Sequence, residues 1–149
     1  MPSDLKIEID GIRLNVRVGA IMRYGEEVVL EISTVGSNSV IPGGRIRINE
    51  PSQDALVREM QEEMGLIHDK NKLTQVKVFE NFFNYDELKI HEIYFLYEYI
   101  LNDDEYNYIK NLGANKDNNT TYFTFVSKYD LEKYNLLPLT LHPIIKGEN

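Results

Sequence analysis

The sequence predicts an α/β sandwich. Three observations carry that expectation: alternating apolar and polar runs that read as paired strands, one strongly patterned helix between Pro51 and Gly65, and helical stretches near the C-terminus. Leu5-Lys6-Ile7-Glu8-Ile9 and Ile12-Arg13-Leu14-Asn15-Val16 alternate around Asp10-Gly11, a pair suited to a two-residue hairpin turn. Val16 to Met22 continues as a mostly apolar strand, Tyr24 to Glu27 turns, and Val28 to Ile32 returns. Ser33 to Ser39 is a polar loop, and Val40-Ile41 a short strand running into Pro42-Gly43-Gly44.

The helix is placed at Ser52 to Met64, with Pro51 in its first turn and Gly65 as the C-cap. Val76 to Phe83, a turn at Asn84 to Glu87 and Leu88 to Leu101 form a second, longer hairpin. Asn102 to Thr120 reads as a polar, Asn-rich loop with only a weak helical pattern near Tyr106 to Leu112. Tyr122 to Val126 is a strand, Asp130 to Leu136 starts a short helix, and a last helical turn lies near His142 to Lys146 beyond Pro138. No repeat or linker divides the chain, so its 149 residues are expected to form one domain, 1–149.

Composition excludes some functions. Without cysteine there is neither a disulfide framework nor a thiolate metal site. The net charge of −8 argues against a nucleic-acid polymer as partner, although a cation can still bring a small phosphate ester to an acidic site. Met1-Pro2-Ser3-Asp4 does not begin a signal peptide, and the longest apolar stretch, Ile93 to Leu101, is too short to span a bilayer. The expectation is a cytoplasmic protein with no membrane partner.

The chemistry concentrates in Arg58-Glu59-Met60-Gln61-Glu62-Glu63. With about 100° of rotation per residue and Ala55 at zero, Glu59 points near ~40°, Glu62 near ~340° and Glu63 near ~80°. Leu56, Val57, Met60 and Met64 fall between about 100° and 200° and form the core stripe, so the glutamate face is expected to flank the buried one. Alone, such a cluster is usually a solvated face. Like charges at i,i+4 repel by a few tenths of a kcal/mol, and a divalent cation turns that repulsion into ligation by hard carboxylate oxygen.

The surrounding spacing favours the second reading. Gly44, then Glu50 after five residues, then Arg58-Glu59-Met60-Gln61-Glu62-Glu63-Met64-Gly65-Leu66 after seven more, resembles the Nudix box of the MutT-like pyrophosphohydrolases at every defining position. The resemblance implies a mixed sheet between helical layers, with the box as loop-helix-loop. It implies Mg²⁺-dependent hydrolysis, with Mn²⁺ as an alternative, of a nucleoside diphosphate linked to another group. Carried onto this chain, Glu59, Glu62 and Glu63 are the metal ligands, with the Gly44 carbonyl as a further donor. Glu59 or Glu62 is also a candidate for the catalytic base. Arg58 either orients the glutamates through its fork of donors or makes an ordinary i,i+4 pair with Glu62. Glu50 is assigned structural support, and Gly43 and Gly44 a close backbone approach to metal or phosphate.

Outside the box, Glu92, beside His91 in the second hairpin, is a further candidate base or ligand, because that strand is expected to border the helix. Asp103-Asp104-Glu105 is a rival source on an acidic loop. Arg17 and Arg45 are candidates for phosphate oxygens, each with a surface salt bridge as the alternative. Tyr85, Tyr94, Tyr97, Tyr99, Tyr106 and Tyr108 could form a stacking platform, although strand tyrosines are more often core. Asn38-Ser39-Val40-Ile41 lacks the aromatic that many relatives carry before Pro-Gly-Gly, so no particular base-recognition scheme transfers. The partner expected is a small nucleotide-type molecule, with a homodimer allowed by the resemblance. The alternative function is a Nudix-like module that binds or senses a nucleotide without cutting it.

Overall fold

Alternating side chains become paired strands where the sequence placed them. In a computed structural model, which describes residues 2–66 and 69–148, β1 (Lys6–Ile9) and β2 (Ile12–Tyr24) form the first hairpin. Then come β3 (Glu27–Ser33), β4 (Ser39–Val40), β5 (Gly43–Arg45) and α1 (Ser52–Met64). The second hairpin is β6 (Thr74–Tyr85) with β7 (Leu88–Ile100). After α2 (Asp103–Leu112) follow β8 (Ala114–Asn115), β9 (Asn118–Ser127), a 3-10 turn at Leu131–Tyr134 and α3 (Leu141–Lys146). The main path through the sheet runs β6-β7-β2-β3-β9-β8, mixed because β2 and β7 are parallel while their other pairings are antiparallel.

Helical layers cover both faces. On one, Leu56, Met60 and Met64 of α1 and Ile109 of α2 pack against Val18, Ala20 and Met22 of β2 and Tyr97 of β7. On the other, Leu131, Leu136, Leu141 and Ile145 pack against Ile21, Leu30, Tyr94 and Leu96. Each fully buried leucine, isoleucine, valine or methionine among them contributes about 1.5–3 kcal/mol. Among the described residues no helix is long and apolar enough to cross a membrane.

The expected polar loop from Asn102 to Thr120 is corrected: most of it is α2, β8 and the start of β9. Asn102 caps α2 through the Glu105 amide, while the Glu105 carboxylate accepts from the Asn102 amide. That reciprocal cap is legible as Asn-x-x-Glu and outweighs weak helical periodicity. Pro51 lies one position earlier than expected, as the extended N-cap of α1. Gly65 ends the helix in the left-handed region at φ 67, as its type favours.

One feature of the sheet positions the site. β2 and β3 pair only beside their turn, at Arg23 with Val28 and Tyr24 with Glu27. Farther along β2, Arg17, Val18 and Gly19 pair instead with Arg45, Gly44 and Gly43 of β5. The two strands therefore part, and a cleft opens between them with Arg17 on one lip and Glu31 on the other.

Candidate active site

A cleft of about 450 Å³ lies where β2 and β3 separate, lined among others by Arg17, Glu31, Gly43, Gly44, Glu59 and Glu63. The glutamates reach it because the buried arc of α1 is wider than the expected stripe. Ala55 is fully buried, so the arc runs from Ala55 through Leu56 and Met60 to Met64 and encloses Glu59 and Glu63. The expectation of a glutamate face flanking the core is corrected in that respect. The Glu63 residue is 7% exposed and the Glu59 side chain 13%, against 38% for the Glu62 side chain.

Arg58 organises this region through its fork of donors. Its Nε and Nη2 donate to the two oxygens of Glu50 at 2.8 and 2.9 Å, and Nη1 donates to Glu59 at 2.9 Å. Nη2 also donates to the Arg45 carbonyl at 3.1 Å, tying the helix to β5. The i,i+4 contact to Glu62 is the longest of the set at 3.5 Å. Glu50 accepts the Arg47 amide as well, and its bond from Arg58 holds its carboxyl below the usual carboxylate range. Bidentate, partly buried pairing of this kind fixes geometry as well as charge.

Glu63 is the least comfortable group in the cleft. Burial, above all, pushes its carboxyl well above the usual range, and the neighbouring carboxylates of Glu31 and Glu59 push it the same way. One of its oxygens, Oε1, is buried with no hydrogen-bond partner. Among the described residues no three acidic or histidine side chains already enclose a point where an ion would sit. Arg58 draws Glu59 and Glu62 toward itself, and Glu62 sits beyond the cleft, 3.8 Å from Arg47. The donor chemistry nevertheless fits a hard divalent cation: several carboxylates, an unpartnered buried oxygen and backbone close by. Gly44 lies against Glu59 so closely that a Cβ would fall on the carboxyl group, so only glycine leaves Glu59 in place here.

This burial has a consequence for stability. Glu63 ionises more readily in the unfolded chain, at about pH 4.3, than in the folded one. Its contribution is therefore fully present below that pH and is lost as pH rises toward the folded value. The metal-free Glu63→Gln variant should gain stability relative to wild type as pH is raised from 4.5 to 8. A melting-temperature advantage of roughly 3–8 °C is expected at the upper end. Thermal melts across that range measure it, and an advantage that stays flat with pH would contradict the assignment.

The remaining candidates separate. Arg17 is half-buried and has no carboxylate within ion-pair distance among the described residues. Burial opposes its charge, but Tyr94, Glu92, Glu63 and Glu31 outweigh burial and hold the guanidinium charged. Arg45 also lines the cleft, 4.0 Å from Asp4. Glu92 lies elsewhere: β7 meets α1 through Tyr97, whose hydroxyl is 2.6 Å from Ser52 Oγ, while Glu92 faces an adjoining pocket with Tyr94 and Arg17. His91 points to the opposite face, bonded to Glu80 and packed on Phe82. Asp103-Asp104-Glu105 is the first turn of α2, where Asp103 accepts from Tyr24 and Glu105 from Tyr99. The tyrosines form no common platform, since Tyr97 and Tyr99 are core while Tyr106 stacks on Tyr24. Sequence reasoning missed Glu31, which accepts from Asn115 at 2.8 Å and Thr121 at 2.7 Å. Its signal was a lone acid inside Val28-Val29-Leu30-Glu31-Ile32.

A NUDIX domain matches residues 13–139, most of the chain and all of the box. The chain belongs to the Nudix family. No curated protein matches it. The Nudix fold recurs in solved structures: the MutT protein of Bacillus halodurans superposes with a TM-score of 0.65 at 14% identity, covering 89% of this chain and 80% of that one. The MutT protein of Methanosarcina mazei Go1 gives 0.60 at 18%, covering 94% and 95%, and a C. elegans Ap4A hydrolase 0.59 at 15%, covering 89% and 93%. At these identities the likeness is one of fold.

Proposed function

We propose that this Nudix protein is a metal-dependent hydrolase of a phosphoanhydride bond in a nucleoside diphosphate linked to another group. The observation that carries the reading is the acidic cleft itself, where Glu59, Glu63 and Glu31 are gathered and a buried Glu63 oxygen is left unpartnered. A cluster that costs the protein stability in isolation is expected where a cation compensates it. Glu59 and Glu63 would hold Mg²⁺ or Mn²⁺ with the Gly44 carbonyl, Glu62 joining from the rim. The bound ion would neutralise phosphoryl oxygens and lower the pKa of a coordinated water.

The chain's own residues do the rest. Arg58 fixes Glu59 while Glu50 fixes Arg58. Arg17, held charged at the lip of the cleft, takes phosphate oxygens, with Arg45 beside it. Gly43 and Gly44 keep the backbone open to the phosphate chain. Glu31, accepting two hydrogen bonds, is a fixed carboxylate facing Glu63 and supplies a base or a further ligand. The MutT and Ap4A hydrolase names among proteins of the same fold are compatible with a nucleotide substrate.

The test is turnover of a panel: nucleoside triphosphates, sugar nucleotides, ADP-ribose and dinucleoside polyphosphates, each with Mg²⁺ and with Mn²⁺. Release of mononucleotide, phosphate or pyrophosphate from at least one, abolished by chelator, is expected. No turnover of any would leave a nucleotide-binding module instead.

A further inference from the structure

Residues directly opposite one another on neighbouring strands point to the same face, so register alone defines rows of side chains. Across β6, β7, β2 and β1 one row is Asn84, Lys89, Ile12 and Ile9. The next is Phe82, His91, Leu14 and Ile7, and a third begins with Glu80, Ile93 and Val16. These rows lie on the face where α1 packs against Val18 and Tyr97, but the helix covers only the part farther along the strands. Ile7, Ile9, Ile12 and Phe82 are left exposed to water, Ile9 at 56% and Phe82 at 67%. Four strands about 4.8 Å apart and three rows about 6.7 Å apart make a footprint of about 400 Å². A contiguous apolar face of that size marks an interaction site, unlike apolar residues scattered singly.

The charges on the face indicate what covers it. Lys89 stands in the first row and Glu80 in the third, on either side of the row of Phe82 and His91. A two-fold axis lying in the interface and crossing the strands at that middle row reverses strand direction and exchanges the first row with the third. It sets Phe82 against Phe82, Ile12 against Val16, and Glu80 of each copy beside Lys89 of the other. The face is therefore complementary to itself in charge as well as in polarity. Asp10, Asp86 and Glu87 sit in the two turns at the first-row end. The same axis carries them to opposite ends of the pair, so the net charge of −8 is not concentrated at the contact. A lipid surface fits less well, because these acids stand where a membrane-binding face carries lysine and arginine.

We infer that this face of β1, β2, β7 and β6 docks a second copy of the chain, sheet against sheet, about that two-fold axis. Phe82 is the central anchor and the two Glu80–Lys89 pairs fix the register. The footprint is small for a permanent interface, so the dimer is a weak one, with Kd of about 10–100 µM. None of the residues in the three rows lines the acidic cleft, so the inference stands apart from the hydrolase reading.

Sedimentation velocity of the full chain from about 1 to 500 µM tests this and should show a monomer–dimer equilibrium in that range. Phe82→Thr should weaken dimerisation about tenfold or more, whereas Tyr85→Thr, on the same strand but the opposite face, should leave it within about twofold. Glu80→Lys and Lys89→Glu should each weaken it about threefold to tenfold, and the double exchange should recover most of the loss. A monomer throughout the range would overturn the inference, and vesicles that sediment such a monomer would assign the face to lipid instead. A dimer that ignores Phe82→Thr, or that Tyr85→Thr weakens as much, would overturn it too, because the contact would then lie along the β6 edge or elsewhere. Should Phe82→Thr fail to fold, recovery by the double charge exchange decides.

Discussion

Replacing Glu59 with glutamine is expected to lower kcat by about a thousandfold or more, while the melting temperature stays within a few degrees of wild type. Glu59 is the carboxylate that Arg58 orients and against which Gly44 is packed, so the local structure is arranged around that one group. Gln keeps the shape and one acceptor but removes the charge that would hold a cation against the phosphate chain. Loss of several kcal/mol of charge stabilisation at phosphorus corresponds to that factor. Steady-state turnover of the best substrate of the panel at saturating Mg²⁺ measures it. Glu62→Gln, on the exposed rim, should cost less, about 10–100-fold. If Glu59→Gln keeps more than a tenth of wild-type turnover, the assignment of Glu59 fails.

Arg58→Ala should be the most destabilising change in the box, by about 2–4 kcal/mol in urea denaturation. The pair it breaks is largely shielded, with 18% of the Arg58 side chain and 17% of that of Glu50 exposed. Removing the arginine leaves the Glu50 carboxylate with only the Arg47 amide, and releases Glu59 and the Arg45 carbonyl together. An uncompensated carboxylate costs more than the net worth of the pair it came from. Arg58→Lys should recover part of the stability but not the bidentate hold on Glu50. A loss below about 1 kcal/mol for Arg58→Ala would reduce the contact to an ordinary surface ion pair.

Local chemistry was readable along the chain, and long-range placement was not. Asp10-Gly11, the helix from Ser52 to Met64 and the second hairpin all appear close to where periodicity and turn residues put them. The box spacing named the glutamates because three carboxylates and an arginine on one short helix constrain one another locally. Glu31 was not named, because its role depends on β3 leaving β2 after only two pairs. Such a parting follows from β5 competing for the edge of β2, which no local pattern records. Glu92 shows the same limit: alternation put it on the side of Tyr94, but α1 covers the other face of β7, the face of Tyr97, which no local pattern records. The helix α2 was legible only as a weak pattern from Tyr106 to Leu112 for a different reason, since Asn102 and Glu105 form a readable cap that the polar composition of the segment obscured.

On this reading the cluster around Glu63 is held under strain for a cation. The most direct measurement is the melting temperature at pH 8 of wild type and Glu63→Gln, each with chelator and with saturating Mg²⁺. Without metal the variant should be the more stable, and Mg²⁺ should raise wild type by several degrees and the variant much less. Equal stabilisation of the two proteins by Mg²⁺, or a less stable variant in chelator, would contradict it.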